Sequence, residues 1–568
     1  MSYKSFPLIV FLSLLSLAAQ AIEYDGSFLP AGKGDTRAPS GRQLVPQTDT
    51  SFLNIESNLP LISIITYGND TIPDGVKITA IMRVIDNGTG AGNHLADSAN
   101  NYWGYIGIEI RGSTSARYPQ KSYSLEIRDS ASNDRNAMLL GMPSENDWVL
   151  IANYNDKVFM RNTLSYYLFR AMGHYASRTR YCEVFVNNVY KGIYFLGEKI
   201  KWDNNRVNIT KLQPDNDTGD NLTGGYIIKN DYMGDNEEGW LSNYSVKGIA
   251  GERQVNFIYN QPQADEITLS QKAYIRDFIR SFEEALYGSN FKDPSDGYRK
   301  YIDVRSFIDY FILSELSRNV DSYKKSKFFF KDPDSRGGLL QSGPPWDFDW
   351  AYKNIPECQF GVTDGSGWAY RAIDCSHWPP YTGWVPRLMQ DPKFVNHLKT
   401  RYTGLRKTIL SNENIFHFID SVSSLLGEAQ ERHYTTWDIL GKVSDGAPEV
   451  DPQPATFEEA VTQFKNWITT RLIWLDNFMP GVIIDKNSTA EYVNIRLYPD
   501  PAFGNVVIES DSIISKIEFY SVTGIKLKVV NFEGLSVNIN LDGMRTGFYI
   551  VRITLKNSAV ITRKLIIG

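Results

Sequence analysis

The hydrophobic period changes twice along this chain of 568 residues, and the two changes limit what it can fold into. Through residues 59–65, 76–84, 106–110, 181–186 and 190–196, apolar residues alternate or run in short blocks. Period two puts one face of a strand toward a core. From Thr268 onward the spacing becomes three and four, over 270–286, 304–316, 415–426 and 459–478, as amphipathic helices require. After Pro480 alternation returns at 514–520, 525–530, 537–541, 548–555 and 560–567, broken by turn pairs such as Thr546-Gly547. The pattern predicts a β-rich lobe with one long helix at 156–172, then a mostly helical lobe, then a small antiparallel β-sandwich. Two lobes of unlike character meet at a cleft, a natural place for a ligand.

Counts exclude several chemistries. Three cysteines build neither a disulfide scaffold nor a four-cysteine zinc site, and the six histidines stand singly without metalloprotease spacing. A net charge of −6 argues against a nucleic-acid binder. Lys4, the apolar run Leu8–Ala19 and the small-x-small triplet Ala19-Gln20-Ala21 read as a signal peptide over 1–21. No other stretch approaches the ~20 apolar residues of a spanning helix, so no transmembrane segment is expected in the mature chain. Residues 22–54 read as an exposed leader. Cys358 and Cys375, seventeen residues apart in an exported chain, could pair in a disulfide worth roughly 3 kcal/mol. Cys182 alternates with Val184 and Val186 and is expected to be buried.

Chemistry-bearing residues fall in four places. A small-polar loop, Arg111-Gly112-Ser113-Thr114-Ser115, lies between two strands, with Arg117 and Lys121 after it. Its N–H groups and hydroxyls suit an anion, or the segment is a surface hairpin with solvated basic residues. Arg161 lies on the packed side of its helix; its guanidinium needs an acceptor or a ligand, or it snorkels to water. Asp321 follows a helix end, in Asn319-Val320-Asp321. Read as a strand, Trp346-Asp347-Phe348-Asp349-Trp350 puts both carboxylates on one face and the aromatics on the other. Two such carboxylates repel unless a cation lies between them, and a hard divalent ion is the usual answer.

Helix-end Asp, short hairpin, second Asp is the order in which protein-kinase-like folds set their catalytic and metal-binding groups. Together with Pro119-Gln120-Lys121-Ser122-Tyr123 and Gly192-Ile193-Tyr194-Phe195-Leu196-Gly197-Glu198, these motifs resemble the spore-coat protein H (CotH) kinase family over about residues 55–480. The resemblance implies an α+β, atypical two-lobed kinase-like fold. ATP with Mg²⁺ or Mn²⁺ would be the ligands, and Ser or Thr of a surface or secreted partner protein the acceptor. It implies Asp321 as the catalytic aspartate and Asp347 as the metal ligand, with Asp349 as helper or rival. Lys121 would bind phosphate, with Arg111 and Arg161 as rivals, and Glu198 would lie near an adenine at the hinge. Ser326 stands five residues after Asp321, where ordinary kinases carry an Asn metal ligand, which puts two-metal catalysis in doubt. Lys324 and Lys325 could neutralise a phosphate instead.

Beyond a linker at 481–491, Tyr498-Pro499-x-Pro501, Tyr520-Ser521-Val522-Thr523-Gly524, Gly547-Phe548-Tyr549-Ile550-Val551 and Lys564-Leu565-Ile566-Ile567 resemble the type IX secretion sorting domain of Bacteroidota, over 492–568. That implies a protein handed to the type IX machinery and carried through periplasm and outer membrane to the cell surface. The sequence is also compatible with two other functions. One is a surface binding or adhesion protein with weak or no catalysis. The other is a carbohydrate hydrolase using Asp321 with Asp347 or Asp349 as paired carboxylates.

Overall fold

Strands of the N-terminal part close into a barrel. In the computed structural model, which describes residues 54–234, 236–245, 254–374, 380–443, 449–484, 495–522, 524–556 and 560–568, the first strands are β1 (Leu61–Thr66), β2 (Ile78–Ile85), β3 (Tyr102–Arg111) and β4 (Ser122–Arg128). A small hairpin, β5 (Ala137–Leu139) and β6 (Met142–Glu145), precedes β7 (Asp147–Ala152). Helix α1 (Arg161–Ala171) leads to β8 (Thr179–Val186) and β9 (Val189–Glu198). The barrel runs β1-β2-β3-β4-β7-β9-β8 and closes through a parallel β1–β8 pairing, Leu61 opposite Glu183. Alternate residues fill its interior: Ile62 and Ile64, Ile106 and Ile108, Leu125 and Ile127, Trp148 and Leu150, all fully buried. A barrel of this size is packed by its own side chains. Cys182 is a free thiol in that packing. The β8–β9 hairpin turns on Asn187 and Asn188 at φ 51° and 62°, the left-handed pair that matches strand twist.

The helix expected at 156–172 begins at Arg161 instead. The Asp156 carboxylate accepts from the Arg161 N–H at 2.9 Å and the Asp156 carbonyl from the Phe159 N–H at 3.0 Å, so the preceding residues turn.

After α2 (Gly219–Leu222) comes a second sheet, formed by β10 (Tyr226–Asn230), β11 (Gly239–Ser245) and β12 (Gln254–Gln261), with β13 (Lys327–Lys331) and β14 (Leu340–Ser342) added from beyond two helices. Its order is β11-β12-β10-β13-β14, antiparallel throughout. Helix α3 (Leu269–Tyr287) starts from a capping box between Thr268 and Gln271. Helix α4 (Val304–Ser317) is capped by Asp303 and stops at Arg318, which is left-handed at φ 44°. Then come α5 (Trp384–Leu388), α6 (Pro392–Arg406), α7 (Asn412–Thr436) and α8 (Phe457–Phe478). One apolar core runs from α1 through the second sheet to α8. Cys358 is disulfide-bonded; Cys375 lies outside the described residues, as do residues 1–53, where the signal peptide and nearly all of the exposed leader were expected.

The C-terminal strands are β15 (Ile495–Phe503), β16 (Asn505–Ser521), β17 (Lys526–Asn540), β18 (Gly547–Leu555) and β19 (Val560–Ile567). They form a single five-stranded sheet rather than two separate ones, because β15 pairs with both β16 and β19 and curls the sheet over its own core. The chain is thus mixed α+β, with a β-rich N-terminal part, helices beyond Thr268 and an all-β end.

Glu283 on α3 is a buried carboxyl with no salt bridge among the described residues. It is 2% exposed and accepts from the Ser242 hydroxyl at 2.7 Å and the Trp384 indole at 2.9 Å. Burial pushes it up to about 7. Its contribution to stability is therefore complete below the carboxyl's ordinary range and lost as pH rises through about 7. Glu283→Gln keeps an acceptor for Trp384 and carries no charge. The variant should match the parent near pH 5 and exceed it by about 2–3 kcal/mol near pH 9 in urea melts.

Candidate functional site

Most of the candidate residues gather where one mouth of the barrel meets α1 and the turn after α4. Strand β3 ends there at Arg111, opposite Ser122, and Ser122 in turn accepts from the Ala152 N–H at the end of β7. Arg111 and the Asn153–Asp156 turn therefore leave the barrel side by side.

The Asp321 turn is held from several directions. Arg318 is 1% exposed and donates to the carbonyls of Ser366 and Val362 at 2.8 and 2.9 Å. Asn319 is not the helix cap; its side-chain oxygen accepts from the Asp321 N–H at 3.1 Å. Tyr381 donates to the Val320 carbonyl at 2.7 Å, and Tyr323 to the Glu315 carboxylate at 3.1 Å. The Asp321 carboxylate is buried and faces the ammonium groups of Lys325 at 3.1 Å and Lys324 at 3.5 Å.

The segment after β14 is not a strand, contrary to the alternation of its sequence. Asp347 is left-handed at φ 64°. Phe348 is the anchor, fully buried, with its N–H on the Asn162 side-chain oxygen at 2.6 Å. Trp346 stacks on Tyr166 at 6.1 Å and lies under the Arg111 guanidinium at 5.3 Å. The carboxylates nevertheless meet. Asp347 accepts from the Ser326 hydroxyl at 3.0 Å, and Asp349 from the Asn155 amide at 2.5 Å. Burial and the neighbouring Asp347 charge push Asp349 up to about 7.

Lys325 links the two halves. Burial alone would lower its pKa, but the charges of Asp321, Asp347 and Asp349 outweigh burial and hold it well above the ordinary lysine value. On Arg111 burial prevails and lowers the pKa, although Asp347 and Asp349 both favour its charge. Asp231, one residue beyond β10, belongs to the same group. Burial raises its pKa, the Asp347 charge adds to that, and Lys229 and Lys325 oppose it. Sequence reasoning missed it, because only the β10–β13 register, Asn230 opposite Lys327, brings it beside Ser326.

Asp321, Asp347, Asp349 and Arg111 thus share one electrostatic neighbourhood. Arg161 borders it: it is paired to Asp156, packed over Phe464 at 5.5 Å, and feels Asp349 as well. Lys121 donates to the Ala116 carbonyl of its own loop at 2.8 Å. Glu198 is fully buried and takes two bonds from the Arg178 guanidinium, at 2.9 and 2.6 Å, one from the Arg178 N–H at 2.9 Å, and one from the Tyr175 hydroxyl at 3.3 Å. It anchors an ion pair at the end of β9.

The donor set fits one hard cation. Asp347 and Asp349 are adjacent oxygen ligands of the kind a hard divalent ion takes. Among the described residues no group of three or more His, Cys, Asp or Glu is placed to hold a metal.

Residues 108–475 match the family described as CotH kinase protein, and residues 496–568 match the secretion system C-terminal sorting domain. The chain belongs to the CotH kinase protein family. No curated protein matches it. The CotH match contains every site residue named above, and the sorting match covers the curled C-terminal sheet. That sheet is a type IX sorting domain, which engages the type IX machinery and directs the protein to the cell surface. No helix among the described residues is long and apolar enough to cross a membrane.

Proposed function

We propose that this CotH-family protein is a surface-displayed, kinase-like phosphotransferase. It moves the terminal phosphate of ATP to a Ser or Thr hydroxyl of a partner protein at the surface. The grouping of Asp321, Asp347 and Asp349 carries the reading: Lys325 pairs with Asp321 at 3.1 Å, and the charges of Asp347 and Asp349 reach the same ammonium. In this reading residues 55–480 form a two-lobed kinase-like body, 481–491 a linker and 492–568 the sorting domain.

Asp347 and Asp349 would hold Mg²⁺ or Mn²⁺, which when bound neutralises charge on the phosphates. Arg111 and Lys325 flank those carboxylates and face the remaining phosphate charge. Asp321 orients the acceptor hydroxyl and takes its proton as the oxygen bonds to phosphorus and the bond to ADP breaks. Lys324 and Lys325, at 3.5 and 3.1 Å, hold the Asp321 carboxylate in place for that step.

The test is thermal unfolding of the mature chain with ATP and Mn²⁺. Nucleotide at a hundredfold over its Kd should stabilise the fold by about 2.7 kcal/mol. The stabilisation should require the metal and disappear in Asp347→Ala. No stabilisation at millimolar nucleotide would sink the phosphotransfer reading and leave a surface binding protein.

A further inference from the structure

The site divides its positive charge unevenly. Asp347 and Asp349 lie against each other with no ammonium or guanidinium in hydrogen-bond contact among the described residues. Asp321 instead has Lys325 at 3.1 Å and Lys324 at 3.5 Å. In two-metal protein kinases an amide, five residues after the catalytic aspartate, helps to hold the second ion. Here the residue is Ser326, and its hydroxyl is already engaged with Asp347 at 3.0 Å. The second ion's amide ligand is therefore missing, and the hydroxyl in its place is already spoken for. The Lys325 ammonium, meanwhile, sits in the combined field of all three carboxylates. A dication placed beside it would be repelled, and at a partly buried site salt screens that repulsion poorly. The Lys325 side chain is 22% exposed, so its head group is not sealed from a phosphate.

We propose that the site works with a single divalent cation, held at Asp347 and Asp349, and that the Lys325 ammonium supplies the charge of the second. The inference rests on the phosphotransfer reading and goes beyond it by fixing the metal count and the role of Lys325. Lysine is a compact point charge, suited to replace an ion in a way a planar guanidinium is not.

The experiment counts Mn²⁺ bound to the full mature chain in the presence of a non-hydrolysable ATP analogue, from the paramagnetic resonance of free Mn²⁺. The parent should take up one ion per chain with a simple hyperbolic isotherm. Lys325→Gln should lower analogue affinity on the order of tenfold and admit a second, weaker Mn²⁺. Adding Ser326→Asn to Lys325→Gln should tighten that second ion. A structural role for Lys325 would change the melting temperature without changing the count. Two ions in the parent, with the count unchanged in Lys325→Gln, would overturn the proposal while leaving phosphotransfer intact. No Mn²⁺-dependent analogue binding in the parent would remove the phosphotransfer reading and this inference with it. Should Lys325→Gln not fold, the count in the parent still decides.

Discussion

Asp321→Asn is expected to slow phosphate transfer by about 10²–10⁴-fold, the usual range for loss of a positioned general base. Binding of the Mn²⁺–nucleotide complex should change little. The separation follows from the geometry. Asp321 faces Lys324 and Lys325, whereas the paired carboxylates of Asp347 and Asp349 lie on a different segment, fixed by Phe348 and Asn162. An amide keeps the shape of the side chain and an oxygen for the lysines, but it cannot take a proton. Single-turnover formation of ADP would report the chemistry, and Mn²⁺-dependent thermal stabilisation would report binding. If both fell together, Asp321 would be a binding or folding residue and another base would be needed. If neither moved, the carboxylate would have no part in the reaction. The variant leaves two ammonium groups less well neutralised, so its melting temperature without ligand should drop and must be measured beside the parent's.

The periodic elements were legible because each carries its own signal. Alternation marked β8 and β9, and Asn187-Asn188 marked the turn between them; spacing of three and four marked α3, α4 and α8. Helix α6 went unread, although Asp391-Pro392 is a strong start signal, an N-cap followed by proline at the first helical position. Strands β11 and β12 went unread for a better reason: their pairing is irregular, with a register shift between Leu241 and Ser245. Barrel closure was beyond reach, since Leu61 and Glu183 become neighbours only through tertiary structure.

The site was half legible. Asp321 stood out after a helix end, and Asp347 and Asp349 as carboxylates beside aromatic bulk, but alternation paired the last two as if on a strand. They meet instead because Asp347 is left-handed and Phe348 is pinned to Asn162. The cation between the carboxylates was anticipated only as a metal. Lys325 instead pairs with Asp321, and the charges of Asp347 and Asp349 reach it across the turn after α4. Arg161 was read as needing an acceptor or a ligand; the acceptor is Asp156, only five residues before it.

Arg471→Met should be the most damaging single substitution away from the reacting groups, with a loss of about 3–5 kcal/mol, the cost of leaving a buried charge without its partner. Arg471 on α8 and Glu315 on α4 are both fully buried and 3.3 Å apart. Burial presses both toward neutrality: it lowers Arg471 to about 9 and raises Glu315. The network around them makes the pair structural. Arg471 donates to the carbonyls of Gly365 and Gly367 at 2.7 Å each. Glu315 accepts from the N–H groups of Ala369 and Tyr370 at 2.7 and 2.9 Å and from Tyr323 at 3.1 Å. Tyr323 lies in the Asp321 turn, so one buried carboxylate ties α8, the segment around Gly365–Tyr370 and that turn together. Replacing both partners by apolar residues of similar size, Glu315→Leu with Arg471→Met, often restores stability for an isolated pair. Here it should not, because two backbone N–H groups and a tyrosine hydroxyl would remain buried without acceptors. Urea melts of the two single variants and the double variant would decide. A double variant as stable as the parent would mean that the pair is isolated and that the Asp321 turn is held by other contacts.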